Sequence, residues 1–240
     1  MLLVSPGTYI AATAFLGFMG FIFVGILENY STAAQDAAPA QVFFSTFFLP
    51  VFFMVPLLTM KCLAEERRLG TIETLLTTPV TTTEVVLAKF GAAYFLYMLL
   101  WGSTGGLFLI LKKFAGDPRL LDSGPIIGGY TFIALSGLMF IAIGVLTSSF
   151  SRSQSVAGIL SFVSLALLIL GGRYLSGVSF LEHESLRPIR EAVGYAQIFS
   201  HLEDFTRGVI DSRQVLFYLS GTFLALVFSI FTVEAKMLHN

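Results

Sequence analysis

Charge is what this sequence has least of. Lys, Arg, Asp and Glu together make up 12% of its 240 residues, where a soluble domain carries about 25%. Acids and bases nearly cancel, at a formal net charge of −1, so nothing suggests electrostatic capture of nucleic acid. A single cysteine, Cys62, excludes an internal disulfide and leaves the compartment unmarked. Histidine is scarce too. His183, His201 and His239 all lie outside the long apolar blocks, so no buried serine–histidine pair can form within a membrane. No Cys/His cluster has metal-ligand spacing. The pattern G-x-x-x-x-G-K-[ST] is absent, which excludes ATP binding through a P-loop of this chain. The first apolar block has no basic residue ahead of it and no clear small-residue cleavage site, so it does not read as a signal peptide.

Apolar residues fill the space that charge leaves. They account for 55% of the chain, the mean hydropathy is +0.83, and they fall in blocks of about twenty, the length a helix needs to cross roughly 30 Å of hydrocarbon. Barrel strands would be shorter and alternate with a period of two. The fold class is therefore an all-α integral membrane protein. Its six-transmembrane-helix bundle has spans expected near 9–27, 41–61, 85–111, 126–149, 154–173 and 214–234, in one domain covering 1–240. An even number of spans puts both termini on one side. Tyr9, Tyr30, Trp101, Tyr130, Tyr174 and Tyr218 lie mostly near span ends, where interfacial aromatics gather.

Basic residues do not settle which side is which. Lys61, Arg67, Arg68, Lys89, Arg152 and Lys236 share the side of the N-terminus, while Lys112, Lys113, Arg119, Arg173, Arg187, Arg190, Arg207 and Arg213 share the other. That near balance gives no orientation by the positive-inside rule. Away from their ends the spans contain no Asp, Glu, Lys, Arg or His, which disfavours a proton- or ion-coupled carrier with a titrating site in hydrocarbon. Pro50 and Pro56 interrupt the ladder of the second span. The run Gly102-Ser103-Thr104-Gly105-Gly106 and the pair Gly171-Gly172 read as places where helices approach closely.

One polar stretch stands apart, residues 65–86, EERRLGTIETLLTTPVTTTEVV. Glu65 to Leu69 can carry the second span into water, with a weak Glu65–Arg68 pair at i,i+3. Gly70 can end that helix by taking a positive φ. Thr71 is then an N-cap, and Ile72, Leu75 and Leu76 form an apolar stripe on a helix of two turns, with Glu73 at the positive end of its dipole. Pro79 stops it. Thr81-x-x-Glu84 is a capping box with Val80 and Val85 as its staple, and Asp211-x-x-Gln214 with Ile210 and Val215 repeats the device before the last span. By pattern alone, the short helix is as well suited to lying on the bilayer surface as to docking on a partner.

At these residues the chain resembles the membrane subunits of ABC-type exporters of the second permease class. Their segment between spans two and three reads roughly E-E-[KR]-x-x-G-T-[IL]-E-x-L-L-x-x-P-[IV]. Glu65, Glu66, Arg67, Gly70, Thr71, Ile72, Glu73, Leu75, Leu76, Pro79 and Val80 match it, with Lys89 as the usual basic residue at the start of span three. Within the class it is most similar to the gliding-motility-associated permease group. Ser5-Pro6-x-x-Tyr9 fits before the first span, and Phe199-Ser200-His201-Leu202-Glu203-Asp204-Phe205-x-x-Gly208-Val209-x-Asp211 before the last. The resemblance implies that 65–84 contains a cytoplasmic coupling helix, docked on a separate ABC ATPase through Glu65, Glu66, Arg67, Gly70, Thr71, Glu73, Leu75, Leu76 and Pro79. It implies an inner-membrane location with both termini cytoplasmic. Residues 174–213 become an external re-entrant or capping region, with Ile198, Phe199, Leu202, Phe205 and Val209 on one helical stripe. Family members carry a basic elbow helix ahead of the Ser-Pro-x-x-Tyr motif, whereas four residues precede it here.

The function implied is the non-catalytic permease half of an exporter, working as a homo- or heterodimer with ATPase subunits that hold the ATP and Mg. No cofactor is expected in this chain. A different class of function is a non-transporting membrane scaffold that passes ATPase-driven motion to an envelope or gliding-machinery partner.

Overall fold

The computed structural model describes residues 6–32, 37–70, 81–114, 122–175 and 194–237. Among these the regular structure is helical throughout: α1 (Pro6–Thr32), α2 (Pro39–Ser45), α3 (Phe48–Thr59), α4 (Ala64–Arg68), α5 (Thr82–Ser103), α6 (Gly105–Phe114), α7 (Ser123–Phe150), α8 (Gln154–Leu175), α9 (Ile198–Thr206) and α10 (Ser212–Met237). Six stretches are long and apolar enough to cross a membrane, at Thr8–Tyr30, Phe48–Arg68, Thr82–Lys113, Ser123–Phe150, Gln154–Tyr174 and Ser212–Ala235. These are the six expected spans, with two of them broken in ways that periodicity did not announce.

The second span starts later than residue 41. Pro50 has no N–H to give the Thr46 carbonyl, so a helix cannot run through it undisturbed. The chain turns at Thr46 and Phe47, and the Thr46 carbonyl takes the Leu49 N–H at 3.2 Å instead. Pro50 then sits in the first turn of α3, where helix donors lack partners anyway, and Pro56 stays inside α3. The third span is interrupted between α5 and α6 at Thr104, where the Thr104 and Leu107 N–H groups reach back only three residues, to the Trp101 and Thr104 carbonyls. The Thr104 hydroxyl donates to the Trp101 carbonyl at 2.6 Å and meets the Tyr130 hydroxyl at 2.8 Å. Gly102 and Gly106 beside it face open space within this chain, while Gly105 lies in ordinary contact with the Tyr130 hydroxyl. Of the other expected pair, Gly171 faces open space and Gly172 is pressed against the backbone, where an added methyl group would lie 2.9 Å from the Ala196 carbonyl oxygen.

The closest approaches occur on α7. This helix is the centre of the bundle, packed against α10, α8, α9, α5, α3 and α2. A methyl group added at Gly128 would lie 1.9 Å from the Phe205 carbonyl oxygen of α9, and one at Gly144 would lie 2.4 Å from Thr59 Oγ1 of α3. Aromatic rings fill the core around it. Phe47 meets Phe132 edge-on at 5.1 Å, and Trp101 meets Phe15 at 5.3 Å. Trp101 and Tyr218 are fully buried, which corrects their reading as interfacial residues. Tyr9 and Tyr174 are well exposed, as interfacial tyrosines are. The first helix contributes a single stripe, Phe15, Met19, Phe23 and Ile26, at helical spacing. The opposite side of α1 exposes Ile10, Phe18, Phe21 and Val24.

Candidate functional site

The EERR turn lies where the chain order of the spans requires, beside the end of α7 and the start of α5. Helix α4 has five residues and no side-chain cap of its own, and so short a helix does not hold itself together in isolation. Distant residues cap it. Ser148 Oγ accepts from the Leu63 N–H and the Ala64 N–H, both at 3.1 Å, across 85 and 84 residues of sequence. It also reaches the Met60 carbonyl at 3.4 Å. One turn further on, the Arg67 guanidinium donates to the Ser149 carbonyl. This cation sits at the C-terminal end of α7, where the helix dipole favours positive charge. On the other side the Glu66 carboxylate pairs with Lys89 of α5, both only partly exposed. The expected i,i+3 ion pair between Glu65 and Arg68 is not formed; the charged residues that hold the turn are Glu66 and Arg67.

Gly70 ends the turn as its position demands. Its φ is +69°, in the left-handed region that side chains disfavour. A Cβ there would meet nothing, so the requirement for glycine comes from the backbone alone. The Leu69 N–H bonds the Glu65 carbonyl at 3.0 Å and the Gly70 N–H bonds that of Arg67 at 3.3 Å. Thr81 then forms the expected capping box: its hydroxyl accepts from the Glu84 N–H at 3.3 Å, and Glu84 accepts from the Thr81 N–H at 2.8 Å. Glu65, Glu66, Arg67 and Gly70 are thus gathered on one described turn. Thr71, Glu73, Leu75, Leu76 and Pro79, with the Val80 half of the staple, lie outside the described residues.

The opposite end of the bundle carries α2 and α9. Helix α9 buries Ile198, Leu202 and Phe205, as its stripe suggests, while Phe199 is half-buried and meets Phe47 at a tilt and Phe48 edge-on. Val209 does not belong to the stripe. The helix stops at Thr206, Gly208 takes a φ of +82°, and Val209 is exposed. His201 is buried beside α10, with Nδ1 3.0 Å from the Tyr218 hydroxyl. Burial pushes its imidazole below the ordinary value of 6.5, against weaker upward pulls from a bond to the Tyr195 backbone and from Asp204 and Asp211. The Asp211 box forms only by half. Asp211 accepts from the Arg213 N–H at 2.9 Å, but the Gln214 amide turns away to donate to Asp204 at 2.7 Å. The amide oxygen, the atom the box would use to accept from the Asp211 N–H, is buried without a partner.

Among the described residues no group of three or more His, Cys, Asp or Glu could hold a metal. What the EERR turn offers is mechanical: a short charged helix held at one edge by the third span and at the other by the fourth. Ser148 and Ser149 were not singled out from sequence. The signal was the polar trio Thr147-Ser148-Ser149 closing an apolar span, a common enough ending that it marks no partner.

A family model described as ABC-2 family transporter protein matches residues 11–235. No curated protein matches the chain.

Proposed function

Because the chain belongs to the ABC-2 family of transporter proteins, we propose that its 65–84 segment is the docking and coupling element for a separate cytoplasmic ABC ATPase. The protein is a multi-pass permease subunit of an ABC transporter. In the proposed working cycle ATP and Mg are held by the partner, which pushes on this segment, and the spans respond by exporting a substrate. The observation that carries the reading is the clamped EERR turn, ended by a left-handed glycine immediately ahead of the segment that matches the family's coupling motif. The proposed residues are Glu65, Glu66, Arg67, Gly70, Thr71, Glu73, Leu75, Leu76 and Pro79.

This reading orients the bundle. The EERR turn and both termini are cytoplasmic in the inner membrane, and α9 with residues 174–213 faces outward. A second permease copy, identical or homologous, completes the pathway. The outward side of α1 suits that contact, since Gly17, Gly20 and Gly25 have no neighbour within 4 Å in this chain, and small residues let helices pack in lipid. Within the family, the motifs around Tyr9 and His201 favour the gliding-motility-associated group.

Reconstitution tests the proposal. With its ATPase in sealed vesicles, the chain is expected to move substrate on ATP addition without any ion gradient. Transport by the chain alone on a proton or sodium gradient, indifferent to ATP, would overturn it. Topology is tested by cysteines at Thr77 and Ser185 in a background lacking Cys62. Impermeant thiol reagent should reach the first only from the cytoplasmic side and the second only from outside, and labelling of both from one side sinks the orientation.

A further inference from the structure

We infer that Ser148 is a positioning residue that passes movement of the 65–84 segment into α7, by standing in for a rung of the second span's hydrogen-bond ladder. The inference rests on the coupling role proposed above. In an unbroken helix the Leu63 and Ala64 N–H groups would donate to the carbonyls of Thr59 and Met60. Both donate to Ser148 Oγ instead, at 3.1 Å each, and the hydroxyl in turn reaches the Met60 carbonyl at 3.4 Å. The Thr59 carbonyl is taken by the Cys62 N–H at 2.9 Å in a tighter turn. A side chain inserted into the i to i−4 ladder breaks a helix at that point. Here the inserted side chain belongs to another span.

The break decides where a push on α4 goes. A continuous helix would deliver it along α3 as a straight lever. With the ladder open between Met60 and Ala64, α4 is free to pivot against α3 but remains tied to the end of α7 by Ser148 Oγ and the Ser149 carbonyl. Gly144, one turn before Ser148 on the same face, brings the α7 backbone against Thr59 with no room for a methyl group. The pivot is therefore held close on its α3 side as well. Helix α7 packs on α10, α8, α9 and α5, so a displacement of its end reaches the far end of the bundle and the sixth span.

Ser148→Ala removes the inserted oxygen. The Ala64 N–H can then return to the Met60 carbonyl, which straightens the second span and leaves the Arg67 bond to the Ser149 carbonyl as a remaining polar tie between α4 and α7. The test is pulsed EPR on the complex with its ATPase, in a Cys62→Ser background, with ADP and with trapped ATP. One pair of spin labels at Leu69 and Leu87, both exposed, reports α4 against α5. Another at Ile127 and Leu216, also exposed, reports the far end of α7 against α10. In the otherwise native chain both distances should shift with nucleotide. In Ser148→Ala the first shift should persist and the second should shrink markedly, while Ser148→Thr, which keeps the hydroxyl, restores it. Ser149→Ala keeps the carbonyl that Arg67 uses and should respond as the native chain does.

A second pair that still responds fully in Ser148→Ala overturns the route through α7 and leaves the coupling role standing. So does a native chain in which only the first pair moves. A native complex in which neither pair moves overturns the coupling role itself, and this inference with it. If Ser148→Ala does not assemble, Ser148→Thr decides: an assembled complex whose second pair is silent rejects the inference.

Discussion

The two ends of this bundle are held by different physics. At the α9 end, rings and backbones are pressed together: Phe205 against Gly128, Phe47 against Phe132, Phe199 against Phe48. At the α4 end, a few polar atoms hold a charged turn, through Ser148, Ser149 and the Glu66–Lys89 pair. Close packing is stiff and intolerant of added volume. Hydrogen bonds and half-exposed ion pairs contribute little net energy each and can be exchanged. A subunit that must receive a push at one end and keep its shape at the other would be built this way round.

The largest expected effect is at the packed end. Gly128→Ala places a methyl against a carbonyl oxygen that belongs to backbone, so α9 must move. Overpacking of this kind costs about 1–3 kcal/mol, occasionally more, and it should appear as a lower melting temperature of the purified protein in detergent. An unchanged melt would mean that α9 is not seated on α7 as described.

At the hinged end the comparison predicts smaller losses of stability and larger losses of coupling. Gly70→Val puts a β-branched residue at a φ of +69°, a conformation that costs roughly 1–2 kcal/mol for a residue with a side chain. Insertion should be native and the melting temperature lowered by less than in Gly128→Ala, while ATP-dependent transport falls sharply. Gly70→Asn should recover most of it, because asparagine tolerates that region. Equal loss in both variants would point to a surface contact at Gly70 in place of a backbone requirement.

Glu66→Gln removes one partner of a half-buried ion pair. A cost of about 1 kcal/mol is expected, most visible as a weaker salt dependence of the melt. A cost as large as that of Gly128→Ala would erase the distinction between the ends.

The smallest effect is a pH dependence confined to the α9 end. Because burial lowers the His201 imidazole, the neutral form is favoured in the folded state. Its contribution to α9 closure is complete above the ordinary value of 6.5 and declines as the pH falls through the lowered folded value. Hydrogen exchange of α9 amides should therefore quicken on acidification in the native chain, relative to α4. His201→Gln should flatten that difference.

Much of this was legible in the sequence because the rules involved are local. Six apolar blocks, Gly70 closing a helix with positive φ, and the Thr81–Glu84 capping box each depend on residues within a few positions of one another. The apolar stripe of α9 was readable for the same reason, up to Val209, where Gly208 turns the chain away. The glycines of α7 were not distinguishable from those at Gly102 and Gly106. Both sets look like packing residues, and only the fold decides which faces a neighbour. The capping of α4 was illegible in principle, since its acceptor lies 85 residues away. Gln214 shows the same limit: its orientation follows its donation to Asp204, which the box pattern at Asp211 does not announce.

The break at Thr104 has a bearing on the lipid as well as on the protein. The third span runs for 32 residues, which as one straight helix would extend about 48 Å, far beyond a hydrocarbon core of about 30 Å. Helix α5 alone, with 22 residues, covers about 33 Å and already matches that thickness. The surplus length is α6, which carries Lys112 and Lys113 in its last turn, long side chains suited to reaching headgroups. The interruption at Thr104, closed by its hydroxyl on the Trp101 carbonyl, therefore falls where the chain has already covered the thickness of an ordinary bilayer.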